Sequence, residues 1–257
     1  MNNAAPLPGP KGPGLRAGVI AAGRGDRLRK ESVPKPLVPV AGRPLIHHVL
    51  ESIAEAEASE VCIIINQDSI AVRERVSATR WPFAIRWIVE STSSSMHSFL
   101  RVLENLAEND AANHVLMSTV DTVAPRGAYR RFVAEASRLS DAAVALAVTT
   151  VSDDEKPLLV RMEGSAIVAI GDAAAPSSDA TAGYYFVSPV ILREAEAARR
   201  DGLEALRAFF GRLLARGYPI AAVRVPPSVD VDRPADVAAA EEFLSAGSEQ
   251  TRPTGGL

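Results

Sequence analysis

Apolar and polar positions along this chain alternate between two periods. Residues 17–22 (Ala-Gly-Val-Ile-Ala-Ala) form a short apolar run that ends in glycine-rich sequence, which predicts a buried strand feeding a loop. The runs at 61–65, 83–89, 115–120 and 142–149 have strand length as well. Between them the period changes. Pro44 stands where a helix would begin, followed by Leu45, Ile46, Val49, Leu50 and Ile53 at helical spacing. Further helices are expected near 69–78, over 93–106 with Met96, Phe99, Leu100, Leu103 and Leu106 on one face, and over 125–139. Buried strands alternating with helices imply a mostly parallel sheet covered on both faces.

Beyond Thr150 the rhythm differs. Residues 157–162 and 166–170 read as a hairpin around Glu163-Gly164-Ser165, and 182–187 as another strand. Helices are expected over 190–200 and 203–216, a strand over 220–225, a short extended piece over 229–232, and a last helix opening at Pro234. One domain is expected over 16–244, with 1–15 as a Pro- and Gly-rich disordered lead and 245–257 as a disordered tail.

Composition adds limits. Of 257 residues, 47 % are hydrophobic and 23 % charged, the balance of a soluble globular protein with a sizeable core. A formal charge of −3 gives no reason to expect nucleic acid or an anionic membrane as partner. No apolar stretch approaches the roughly 20 residues that span a bilayer. The one cysteine, Cys62, lies in an apolar run and reads as a small buried hydrophobe. A lone thiol fits a reducing, cytoplasmic setting. These features leave room for self-association into a homo-oligomer.

The informative segment is Ala21-Ala22-Gly23-Arg24-Gly25-Asp26-Arg27-Leu28, with Lys35-Pro36-Leu37 soon after. A glycine-rich turn at the carboxyl end of a first strand lets backbone N–H groups approach a phosphate. Arg27 can fork onto two phosphate oxygens, and Lys35 supplies a point charge. A dinucleotide fingerprint would need glycine at Leu28 and an immediate helix; a Walker loop would need Gly-Lys-Ser/Thr. Neither is present.

The whole string resembles the signature of the sugar-nucleotide pyrophosphorylase superfamily, whose domain is of the MobA-like NTP transferase type. Its parts here are residues 21–27, Lys35-Pro36-Leu37 and Gly42-Arg43-Pro44. The resemblance implies a Rossmann-like nucleotide-diphospho-sugar transferase fold, a mostly parallel mixed sheet flanked by helices. It implies catalytic roles for Arg27, Lys35 and Asp121, with Arg27 and Lys35 on the NTP phosphates. Asp26 departs from the usual Thr or Ser. The nucleotide would be held by Ala21, Ala22, Gly23, Arg24, Gly25 and Asp26, with Ser94 and Ser95 where relatives contact the base.

Asp121 ends an apolar strand, where α/β folds place ligand groups; the resemblance makes it a Mg²⁺ ligand. Val229-Asp230-Val231-Asp232-Arg233-Pro234 resembles the family segment that carries the second ligand. Asp230 and Asp232 are expected to point to opposite sides, leaving one of them on the metal; Asp232 could instead cap the last helix. Asp236 reads as a dipole partner in the first turn of that helix. His47, His48 and His114 are not needed by the chemistry.

The serine-rich stretch 90–98 and the segment 167–189, with Gly183 on the strand lining the acceptor pocket, look most like polyol-phosphate and choline-phosphate cytidylyltransferases. The lysine that holds a hexose phosphate is missing from 171–176. The expected reaction is therefore Mg²⁺-dependent transfer of a nucleotide from an NTP, CTP favoured, onto a small sugar-, polyol- or choline-type phosphate. A molybdenum-cofactor-type nucleotidyltransferase and a non-catalytic nucleotide-binding module are the alternatives.

Overall fold

A computed structural model describes residues 14–23, 28, 33–108, 113–150 and 157–249, the side chains of 247–249 excepted. The first strand, β1 (Arg16–Ala21), is buried along its whole length. A 3-10 turn at Lys35–Leu37 and two short strands, β2 (Pro39–Val40) and β3 (Arg43–Pro44), lead to helix α1 (Leu45–Glu55). Then come β4 (Glu60–Ile65), α2 (Ile70–Ser77), β5 (Ala84–Val89), α3 (Ser95–Ala107), β6 (Val115–Thr119), β7 (Thr122–Val123), α4 (Ala128–Ala136) and β8 (Val144–Thr150). The hairpin expected after residue 150 is β9 (Val160–Glu163) with β10 (Ala166–Ile170). It is followed by β11 (Asp179–Val187), α5 (Ala195–Arg200), α6 (Leu206–Ala215), β12 (Ile220–Arg224), β13 (Val229–Asp230) and α7 (Pro234–Glu249).

Nine strands make one mixed sheet in the order β5-β4-β1-β6-β11-β8-β12-β10-β9. Neighbours from β5 to β6 are parallel, as are β8 and β12, whereas β11 runs antiparallel to both β6 and β8. The mostly parallel, doubly covered sheet expected from the alternation of strands and helices is present.

Strand periodicity explains the two faces. Ile20, Cys62 and Ile64 pack with α3, α5 and α6, while Ala17, Val19, Val61 and Ile63 pack with α1, α2 and α4. β1 and β4 bury both sides, which is why these segments read as continuous apolar runs instead of alternating ones. On the α3 face Phe99 and Phe210 meet edge-on, with ring centroids 5.8 Å apart. Burying such a side chain stabilises the fold by roughly 1.5–3 kcal/mol. Gly18 lets α3 settle on β1: a Cβ there would lie 2.5 Å from Val102 Cγ1 and 2.6 Å from Met117 Sδ.

The segments departing from expectation lie late in the chain. Where a helix was expected over 190–200, Pro189–Glu194 forms 3-10 turns before α5 begins. At the other end α7 runs to Glu249, five residues into the stretch expected to be a disordered tail. That helix is held by a third apolar cluster, in which Ala240 packs with Leu28, Val40, Leu45, Val123 and Val231.

Candidate functional site

Parallel strands direct their carboxyl ends to one rim, and the candidate residues collect there. Ala21 and Ala22 close β1 in buried positions, while Gly23 is exposed and a Cβ built on it would meet nothing within 4 Å. Arg24, Gly25, Asp26 and Arg27 lie outside the described residues.

Lys35 is set by local chemistry. Pro34 and Pro36 fix the backbone on either side, and the Leu37 N–H donates to the Pro34 carbonyl at 2.8 Å, closing a tight turn. The Lys35 side chain is buried and its ammonium donates to Asp121 Oδ2 at 2.6 Å and to Asp232 Oδ1.

What unites Asp121 with the C-terminal acidic segment is a small ladder. β13 pairs antiparallel with β7, setting Val229 opposite Val123 and Asp230 opposite Thr122. The Val231 N–H donates to the Asp121 carbonyl at 3.0 Å. Val231 itself is fully buried, so its two neighbours turn the other way.

This corrects the expectation that Asp230 and Asp232 point to opposite sides. Residues two apart on an extended segment share a side, and both line the same cleft. Their partners separate them: Asp232 meets Lys35, whereas Asp230 Oδ1 accepts from Thr122 Oγ1 at 2.8 Å. Asp232 does not need to cap α7. Asp236 reaches back and accepts from the N–H groups of Asp232 and Arg233, at 3.0 and 2.8 Å.

Charge is tightly balanced here. Burial alone would lower the Lys35 pKa, but the Asp121 and Asp232 carboxylates override it and the net shift is upward. Burial would raise the Asp121 pKa; the Lys35 charge, with hydrogen bonds from Lys35 and Thr119, holds it below the ordinary carboxylate value. The pair is therefore ionised at neutral pH. Among the described residues no three His, Cys, Asp or Glu side chains form a metal cluster. Two carboxylates converging on one cation still suit Mg²⁺, which takes one or two protein carboxylates and completes its shell with phosphates and water.

Below this rim opens a cleft of about 840 Å³, lined by Ser95, Thr119, Asp121, Gly183, Asp230, Asp232, Arg207, Arg233 and Phe243, among others. Gly183 is required by geometry. Its φ is +78°, and a Cβ there would fall 2.0 Å from Thr122 Oγ1. With no side chain in the way, Thr119 Oγ1 reaches the Gly183 carbonyl at 3.3 Å and Thr122 Oγ1 at 3.1 Å, and Thr122 passes the chain of hydrogen bonds to Asp230.

The serines divide. Ser94 caps α3, its Oγ accepting from the His97 N–H at 3.4 Å. Ser95 lines the cleft and accepts from the Leu206 N–H at 3.3 Å, docking α3 on the start of α6. His48 and His114 bond the carbonyls of Val40 and Ala142, and His47 packs edge-on against Trp81.

Sequence reasoning missed Thr119, Thr122, Arg207 and Arg233. The two threonines flank Asp121 closely enough to have been suspected. The arginines carry no local signal, because only folding brings α6 and the start of α7 to the cleft.

With this geometry in hand, the similarities to known proteins are specific. A family model described as the MobA-like NTP transferase domain matches residues 17–215. The chain is 33% identical over 95 residues to the bifunctional protein GlmU of Aromatoleum aromaticum, covering 37% of this chain and 20% of that protein. It is 36% identical over 101 residues to the CMP-5'-(3-aminopropyl)phosphonate synthase of Streptomyces rubellomurinus, covering 37% of this chain and 16% of that protein. The matches thus span a fifth or less of those relatives' length.

Among solved structures, the inositol-1-phosphate CTP transferase from T. maritima superposes with a TM-score of 0.77 at 19% identity, covering 94% of this chain and 99% of that one. A UDP-glucose pyrophosphorylase complexed with UDP-glucose gives 0.75 at 16% identity, covering 93% and 99%. At such identities the likeness establishes the fold, the Rossmann-like nucleotidyltransferase fold expected from the motif. Gly23, the lysine and the acidic rim thus stand on that fold, within a chain that belongs to the MobA-like NTP transferase domain family.

Proposed function

We propose that this protein is a Mg²⁺-dependent nucleotidyltransferase that condenses an NTP, CTP favoured, with a sugar-, polyol- or choline-type phosphate and releases pyrophosphate. The observation that carries the proposal is the Lys35 ammonium held between Asp121 and Asp232, at the rim where the parallel strands end.

A phosphate monoester is already anionic at neutral pH, so its oxygen attacks the α-phosphorus without a general base. The new bond is oxygen to α-phosphorus, and the bond to the β-phosphate bridging oxygen breaks. Charge neutralisation and in-line positioning supply the catalysis. In this reading the turn at 21–23 receives the triphosphate, and Arg27, carried over from the family motif, neutralises it with Lys35. Asp121 and Asp232 would hold Mg²⁺, which when bound offsets the charge gathering on the phosphates. Arg207 and Arg233, both in the cleft, take the acceptor phosphate in place of the lysine missing from 171–176.

Names of the similar proteins support small phosphorylated acceptors: one relative is named for a CMP-linked aminopropylphosphonate and one structural neighbour for inositol 1-phosphate. The hairpin β9–β10 is present, which favours this reading over a molybdenum-cofactor acceptor. No helix among the described residues is long and apolar enough to cross a membrane; the reading places the enzyme in the cytoplasm, with its NTP.

The test is pyrophosphate release from each of four NTPs against a panel of sugar, polyol and choline phosphates, with and without Mg²⁺. One productive pair that needs both metal and acceptor is the expected result. Silence of every pair while nucleotide still binds would leave only a binding module.

A further inference from the structure

Asn66 carries a polar atom that the fold does not use. It follows β4 at the same rim, one position beyond the pairs Ala21–Ile65 and Ile65–Val89, and so lies between Ala22 and Glu90. Its backbone is extended, with φ −75° and ψ 164°. The strand alternation therefore continues through it, and Asn66 falls on the face where Ala22 and Ile64 pack with α3. The side chain is 8% exposed.

Asn66 Nδ2 donates to the Ala22 carbonyl at 3.3 Å, which fixes the amide: a flip would set two oxygens against each other. Oδ1, on the other arm, is buried and accepts no hydrogen bond among the described residues. An orphaned buried acceptor destabilises a fold and calls for an explanation. The surroundings suggest one. The exposed Gly23 follows Ala22 on one side, and on the other the Gln67 N–H donates to Ser91 Oγ at 3.3 Å, at the start of the serine-rich stretch that opens α3.

We infer that Asn66 Oδ1 selects the nucleobase, accepting a hydrogen bond from the 4-amino group of cytosine and thereby favouring CTP over UTP. The inference rests on the nucleotide site proposed above. Cytosine and uracil have the same shape and differ where one offers an amino hydrogen and the other a carbonyl oxygen. Against uracil, Oδ1 stays unpaired and meets a second acceptor. A site built to bond one polar group rejects the analogue that lacks it far better than an apolar pocket can.

Calorimetric binding of CTP and UTP, with Mg²⁺ present, tests this on wild type, Asn66→Ala and Asn66→Asp. Wild type should bind CTP at least about tenfold more tightly than UTP, the worth of one well-placed hydrogen bond. In Asn66→Ala the ratio should close to within about twofold, through weaker CTP binding. Asn66→Asp, protonated so that its hydroxyl donates to the Ala22 carbonyl in place of Nδ2, keeps an acceptor oxygen on the other arm and should keep the preference for CTP. A purely structural role would weaken both nucleotides alike and leave their ratio unchanged. Equal or reversed preference in wild type, survival of the preference in Asn66→Ala, or its loss in Asn66→Asp overturns the inference. Should Asn66→Ala fail to fold, wild type and Asn66→Asp still decide. If wild type binds neither nucleotide, this inference and the nucleotidyltransferase reading both fall. Selective binding without pyrophosphate release from any acceptor overturns only the latter.

Discussion

The ammonium of Lys35 lies 2.6 Å from the carboxylate of Asp121, a residue 86 positions further along the chain. The lysine comes from a proline-locked turn and the aspartate from just beyond β6, so the contact ties that turn to the sheet. Asp232 completes it from the opposite end of the sequence.

Lys35→Met should lower turnover by at least about 100-fold, the scale seen when one charge-stabilising donor is removed. It should also cost about 1–3 kcal/mol of stability by leaving Asp121 without its cation, less than for a fully buried pair because Asp232 is half exposed. The sign with pH follows from the shifts. Asp121 is held below the ordinary carboxylate value of 3.8, so its contribution is present above that value and fades as pH falls through the lower, folded one. Lys35 is raised above 10.5, so its contribution is complete below that pH and fades only above it. The urea-unfolding difference between wild type and variant should therefore stay level from about pH 5 to 10 and shrink in stronger acid. A difference that grows in acid would contradict the ion pair.

Asp232→Asn and Asp230→Asn should behave differently, since Asp232 shares a cation with Asp121 while Asp230 is engaged by Thr122. Mg²⁺ titrations of pyrophosphate release should show the larger rise in half-saturating metal for Asp232→Asn. The reverse order would transfer the ligand role to Asp230.

Gly183→Ala places a methyl group where Thr122 Oγ1 stands, in a backbone conformation with φ +78°. The strain amounts to about 1–3 kcal/mol, which for a chain of this size lowers Tm by about 2–12 °C. Calorimetry reads the shift. A variant as stable as wild type would mean that the backbone at Gly183 relaxes freely.

Cys62 is fully buried, its thiol donates to Asn105 Oδ1 at 3.4 Å, and burial pushes its pKa up from 9.0 to about 12. At pH 8 the thiolate fraction is about a thousandfold below that of a free thiol. Alkylation by iodoacetamide should be negligible in the native protein and complete in denaturant, as followed by intact mass. Rapid native labelling would show that β4 opens readily.

Much of the fold was legible in the chain. The apolar runs at 17–22, 61–65 and 115–120 became β1, β4 and β6 because strands covered on both faces favour apolar residues, and that demand is local and strong. The helix over 93–106 was marked by its apolar stripe. The tail beyond 244 was misjudged. Residues 245–249 continue α7, which is anchored upstream where Ala240, Phe243 and Leu244 pack in the cluster with Val40, Leu45 and Val231, contacts with no sequence period.

At the site the division is similar. The types and order of Lys35, Asp121, Asp230 and Asp232 were evident, since they stand in segments that resemble the family's motifs. Which carboxylate meets Lys35 was decided by the β7–β13 ladder, which sets Asp230 opposite Thr122 and leaves Asp232 to reach the ammonium. The hydrogen bonds of Thr119, Thr122 and Asn66 likewise form only where segments distant in sequence meet. The sequence by itself determined the strands, most of the helices and the chemical inventory, because burial and periodicity act over neighbouring residues. The tertiary structure decided the pairings at the cleft, because hydrogen bonds and ion pairs join whatever the fold brings within 3 Å or so, however far apart along the chain.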